Sequence, residues 1–307
     1  MIRRVVRAMG LTTLGGLAVW AVVAVVALRV DDATLDLPAV VLLFGQLVIV
    51  PLGLGLLDAG GPPIAVALHR GGRVAVRVGS VAALAALALP RGELSAALAA
   101  LYLVPVLAIG LGAGLRFLAG GRSLAGVAQV AAAGFLVVGA VFFVVHRQGV
   151  AFAGMPEHIL QLTAVHFTFT GYGLGLVAAA LATRSSTIGG IGVALLIAGM
   201  TVTPIGFLTD PAIQALGALL VVAALLAIAV GTVASLGRIG SGAARRLLFV
   251  SSVFAWLVGG MAAAYAISEA LGSPVIPLVA MAALHGTFAA IGVVFCGLLG
   301  WRLADAR

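Results

Sequence analysis

The sequence predicts an all-α fold: a polytopic transmembrane helix bundle of about ten helices with the N- and C-termini cytoplasmic. Three observations carry this. Of 307 residues, 63% are hydrophobic and only 8% charged, with a mean hydropathy of +1.28. A soluble domain carries about 25% charged residues, and no soluble fold of this size hides so much apolar surface. The chain also divides into apolar runs near the roughly 20 residues that cross a bilayer. Finally, the basic residues fall on alternate connections, as the positive-inside rule requires.

Taken in order, Arg3, Arg4 and Arg7 precede an apolar run over 11–30. No small-residue cleavage site precedes Asp31-Asp32, so this run reads as a retained first helix. Further runs cover 37–57, 74–90, 94–115, 125–145, 159–183, 188–208, 212–236, 247–269 and 275–300. The third contains Arg77 and ends at Pro90. All 17 basic residues are arginine. With the N-terminus inside, only Arg29, Arg91 and Arg147 fall outside, which leaves 14 on the inner segments. Asp31, Asp32, Asp36, Glu93, Glu157, Asp210 and Glu269 fall outside, and Asp58 and Asp305 inside. All connections are short, so the chain reads as one transmembrane domain.

Several function classes drop out. The arginines are scattered between apolar runs rather than clustered with aromatics, which argues against nucleic-acid binding. The single Cys296 forms no disulfide framework and no cysteine metal motif. The glycine patterns at Gly53-x-Gly55, Gly110-x-Gly112-x-Gly114 and Gly171-x-Gly173-x-Gly175 read as close helix packing, not phosphate cradles. No clear internal repeat supports an inverted-repeat transporter.

Polar residues inside apolar runs need a reason, because each costs free energy at membrane depth. With a rise of 1.5 Å per residue, His166 lies roughly 12 Å and His285 roughly 15 Å below the outer surface. Gln46, Tyr102, Thr201 and Thr203 also fall in the outer half, the threonines beside Pro204. Tyr265 and Glu269, spaced i, i+4, share a face near the outer end of their helix, as do His166 and Thr170. The inner half holds chiefly Gln129 and Asp58. The pattern predicts a polar cavity opening toward the outer face.

Each residue has a plain reading beside the sharp one. A membrane histidine can simply bond a neighbouring carbonyl, or it can bind ligand, metal or protons. Thr163, Thr168 and Thr201 read as bonding their own backbone. Tyr172 and Tyr265 serve packing or ligand, and Glu269 is an interfacial acid or a general acid. His69, His146, Glu157 and His158 are expected in solvated loops. His166 and His285 supply two ligands where a zinc site needs three or four, and they are a weak signal for haem. No metal is therefore assigned, and the cofactor stays open.

The stretches His166-Phe167-Thr168-Phe169-Thr170-Gly171-Tyr172 and His285-Gly286-Thr287-Phe288-Ala289-Ala290-Ile291-Gly292 resemble the two signatures of YndJ-like bacterial membrane proteins, H-F-H-[FY]-x-G-[FY] and H-G-x-x-N-x-x-G. Leu162–Val165 and Val50-Pro51-Leu52 fit as well. Two positions depart: Thr168 stands where the pattern has histidine, and Ala289 where it has asparagine. The resemblance implies a multi-pass protein of the bacterial inner membrane, with the two histidines as its marked positions. The departures weaken a metal or proton-relay reading and favour a ligand pocket or a two-histidine acid–base site.

The expected function is binding of a small or lipophilic molecule in an outer-half cavity, for transport or export. His166, His285 and Glu269 are the candidate reactive groups. Gln46, Tyr102, Thr170, Tyr172, Thr203 and Tyr265 are the candidate ligand contacts. The alternative is an intramembrane enzyme using His166 or His285 as base and Glu269 as acid on an apolar substrate, for isomerisation, epoxide opening or cyclisation. An accessory subunit is a third possibility. The expected partners are the lipid bilayer and the ligand, with oligomeric state open.

Overall fold

The computed structural model describes residues 2–29 and 36–305; Asp31, Asp32 and Arg307, counted above, lie outside them. Ten membrane-type helices follow one another: α1 (Ile2–Ala27), α2 (Leu37–Gly53), α3 (Pro63–Ala88), α4 (Glu93–Leu118), α5 (Leu124–Gln148), α6 (Glu157–Ala182), α7 (Ser186–Thr209), α8 (Pro211–Ser235), α9 (Gly242–Ala270) and α10 (Leu278–Asp305). Among the described residues, nine are long and apolar enough to cross a membrane, and α2 is a shorter apolar helix. The chain is thus a multi-pass helical membrane protein.

Chain neighbours pack as antiparallel hairpins: α3 with α4, α4 with α5, α5 with α6, α7 with α8, α8 with α9, and α9 with α10. The α3–α4 pair shows why. Ala65, His69, Gly72, Val76, Gly79, Ala83 and Ala86 are all buried, as are Ser95, Ala99, Tyr102, Val106, Ile109, Ala113 and Arg116. Both sets alternate steps of four and three, the seam of a left-handed helix pair. The small residues allow close approach: a Cβ on Gly79 would lie 3.0 Å from the Tyr102 Cα.

α6 is the hub. Its apolar window is 78% buried, against 17–39% for the other long spans. It touches α2, α5, α7 and α10. α2, α6 and α10 run parallel, and each carries a π-helical stretch: Gly45–Ile49, Phe167–Leu174 and Phe288–Phe295. The three stretches pack together, with Gly173 of α6 against Val294 of α10 and Ile49 of α2. On α2 the cause is Pro51, which has no N–H and would clash with the Leu47 carbonyl one turn back; a wider turn relieves this. Gly16 of α1 sits directly on that carbonyl, where any side chain would overlap it. The indole of Trp20 donates to the Val40 carbonyl at 2.9 Å, fixing α1 to α2.

Three expectations change. The third helix begins at Pro63, eleven residues before the apolar run expected from 74, so Arg70, Arg73 and Arg77 are helical and share an exposed face. Hydropathy alone missed this turn-rich basic start because a helix keeps its seam while its other face carries charge. His69 and His146, expected in solvated loops, are buried helical residues. His158 and Glu157 are exposed, in the first turn of α6.

The arginines serve the helix ends. Arg147, buried, donates to Ser95 Oγ at 2.7 Å and to the Leu89 carbonyl at the end of α3. Arg302 donates to the Leu52 carbonyl at 3.1 Å, and Arg184 to the Ala180 carbonyl at 3.3 Å while pairing with Asp305. Cations at the carbonyl end of a helix satisfy orphan acceptors and the dipole together. Arg91 pairs with Glu157. Two of the three outer arginines that break the charge bias therefore have structural partners.

Candidate functional site

A cavity of about 330 Å³ lies between the N-terminal halves of α2, α6 and α10, the C-terminal half of α7 and the loop before α6. The arginine bias of the sequence predicts that these are the outer halves. Its walls are apolar, with Val41, Phe142, Phe167, Phe169, Met200 and Met281 among them. His166, Thr170, Thr163, Thr203 and His285 supply the polar atoms, and no charged side chain lines it among the described residues. Leu37, Phe152, Phe207 and Leu208 line it and are also exposed, the last two at 46% and 58%. The rim is therefore apolar too. Behind the lining, Phe169 stacks on Phe44 at 6.3 Å and Phe44 meets Phe295 at 5.8 Å.

His166 ends the regular part of α6, one residue before its π stretch, and His285 lies three residues before that of α10. Parallel neighbours with matched interruptions bring the two rings to one cavity. π turns recur at functional sites because the extra residue redirects side chains. Thr168 Oγ1 donates to the Ala164 carbonyl at 2.8 Å, while Thr170 Oγ1 meets His166 Nδ1 at 3.3 Å. His285 Nδ1 lies 3.3 Å from the Val258 carbonyl of α9. Among the described residues Nε2 of each ring has no hydrogen-bond partner, and neither is fully buried as Nε2 of His69 and Nδ1 of His146 are.

Of the residues singled out from the sequence, His166, Thr170, Thr203 and His285 come together at the cavity. The other five do not line it. Tyr172 is buried and donates to the Val50 carbonyl at 3.0 Å, joining α6 to α2. Tyr102 packs edge-on to Phe143 in the α3–α4–α5 layer. Gln46 is buried on α2, and Ser80 donates to its backbone carbonyl at 3.0 Å. Glu269 is exposed at the outer end of α9, with Tyr265 half-buried one turn earlier. Thr203 faces the cavity with its hydroxyl already bonded to the Gly199 carbonyl at 2.8 Å. The apolar lining from α7 was missed because Met200, Phe207 and Leu208 look like any membrane helix. Pro204, which breaks the helix's hydrogen bonding there, is the one signal in that stretch.

Among the described residues no group of three or more His, Cys, Asp and Glu side chains lies close enough to hold a metal ion. At the two family departures, Thr168 is buried against Gly139 of α5, away from the lining, while Ala289 is part of the cavity wall.

Fold and site together define a multi-pass helical membrane protein with a histidine-bearing apolar cavity on one side. The sequence profile of one family, described as YndJ-like protein, matches residues 40–293, most of the chain. The chain belongs to the YndJ-like family. No curated protein and no solved structure matches it.

Proposed function

We propose that this protein binds a neutral, lipophilic small molecule in the outer half of the membrane, as a step in its transport or export. The observation that carries the reading is the apolar rim. Ligand pockets are mostly apolar inside, and here the exposed lining residues Leu37, Phe152, Phe207 and Leu208 are apolar as well. Such an entrance admits molecules already dissolved in the outer leaflet. The lining comes from the N-terminal halves of α2, α6 and α10 and the C-terminal half of α7, which all lie toward one face, so the reading places exchange with one leaflet. The enzyme reading with Glu269 as acid has less support, since a general acid must reach the reacting group directly or through one water and Glu269 is outside the lining.

The test is photolabelling in lipid nanodiscs with a diazirine-bearing hexadecanol. Adducts are expected on lining peptides of α6, α7 and α10. Ala282→Phe, which fills the cavity, should cut them about fivefold, a change of about 1 kcal/mol. Adducts spread evenly over bilayer-facing residues such as Leu11 and Val78, unchanged by Ala282→Phe, would overturn the reading.

A further inference from the structure

The two histidines present opposite hydrogen-bonding faces, and this selects the ligand's polar group. With no carboxylate among the described residues lining the cavity, an imidazolium there would have no anionic partner from them at membrane depth. The neutral rings are therefore the forms the site supports. A carbonyl only accepts, so the contact of His285 Nδ1 with the Val258 oxygen at 3.3 Å places the proton on Nδ1. His285 Nε2 is then a bare acceptor turned to the cavity.

His166 is the converse. Thr163, Thr168 and Thr203 each donate to the carbonyl four residues back, at 2.6–2.8 Å. Thr170 does not; among the described residues its hydroxyl meets only His166 Nδ1. Among the described residues the hydroxyl proton has no other acceptor, which assigns it to Nδ1 and leaves Nε2 to carry the ring proton as a donor. The cavity thus offers one donor, His166 Nε2–H, and one acceptor, His285 Nε2. The remaining hydroxyls of the lining are already bonded to backbone.

The geometry points to a lipid alcohol as the ligand: an apolar chain or ring system with a free hydroxyl that donates to His285 Nε2 and accepts from His166 Nε2–H. This rests on the binding function proposed above and sharpens it. Ketones, ethers and esters have no proton to give, which leaves His285 Nε2 unmatched. A carboxylate would enter as a charge with no cation beside it.

The experiment is competition against the same diazirine-bearing hexadecanol in nanodiscs, using hexadecan-1-ol, its methyl ether, hexadecanamide and hexadecanoate. The alcohol should compete about tenfold better than the methyl ether, the scale of a hydrogen bond lost together with an unmatched buried acceptor. His285→Leu should erase that preference, with the probe's labelling weakened but still confined to the lining peptides of α6, α7 and α10. His166→Phe should weaken the alcohol and ether together, because both accept from His166. Equal competition by alcohol and ether would overturn the alcohol assignment and leave the binding function standing. Superior competition by the amide or the carboxylate would overturn it as well. Labelling that no competitor and no cavity variant displaces would remove both.

Discussion

At the scale of single residues, some polar groups in this protein tie helices together and others face the cavity. Arg147 is the clearest tie: buried, it joins the Leu89 carbonyl, Ser95 and, through Ser95, the Ala86 carbonyl at 2.9 Å. Arg147→Met should destabilise the protein by about 2–4 kcal/mol, because a buried carbonyl and hydroxyl lose a charged donor. Ser95→Ala should cost about 1 kcal/mol. Thermal unfolding followed by tryptophan fluorescence in detergent measures both, and a midpoint unmoved by Arg147→Met would refute the tie. A lysine should not rescue it, since a single ammonium cannot reproduce the guanidinium's fork. At the cavity, Ala289 marks where the family pattern has asparagine. Ala289→Asn would place an amide in the wall, and it should weaken binding of the methyl ether more than of the alcohol in the competition assay.

At the scale of elements, glycines at seven-residue intervals hold α7 to α8. Gly192 packs on Ile228, Gly199 on Val221 and Gly217, and Gly206 on Gln214. A Cβ on Gly199 would lie 2.7 Å from the Val221 nitrogen and 2.8 Å from the Gly217 oxygen, both backbone. Gly199→Val should therefore force the helices apart and cost about 2–4 kcal/mol. Gly134→Val on α5, with open space around it, is the control and should leave the unfolding midpoint nearly in place. These elements were largely legible in the sequence, since apolar run length and arginine placement report on crossings directly. The start of α3 was not, because Arg70, Arg73 and Arg77 dilute its hydropathy without breaking its helical seam. Nor were the π turns: one extra residue in an apolar run leaves no trace in hydropathy, and only Pro51 hints at the first. The site was half legible for a geometric reason. Sequence position converts to depth through the helical rise, so Gln46, Tyr102, His166 and His285 could all be placed in the outer half. Which way each faces depends on packing, and α4 lies beyond α5 from the cavity, so Tyr102 shares its depth without sharing its site.

At the scale of the whole molecule, the placement of the cavity in the outer leaflet depends on the orientation of the chain, which is directly measurable. In a Cys296→Ala background, Val150→Cys in the loop before α6 should react with a membrane-impermeant maleimide in intact cells. Gly240→Cys, between α8 and α9, should react only after permeabilisation. The reverse pattern would put the cavity in the inner leaflet. Its apolar rim has a further consequence. If it opens onto acyl chains as proposed, a void of about 330 Å³ is in contact with a solvent that resembles its own lining. Bulk lipid, or the alkyl tail of a detergent, is then a competitor present at enormous excess, and by mass action it lowers the apparent affinity of any specific guest. The apolar walls therefore supply occupancy but little discrimination. On the proposed binding function, choosing one guest from a sea of chains falls to the two imidazole nitrogens.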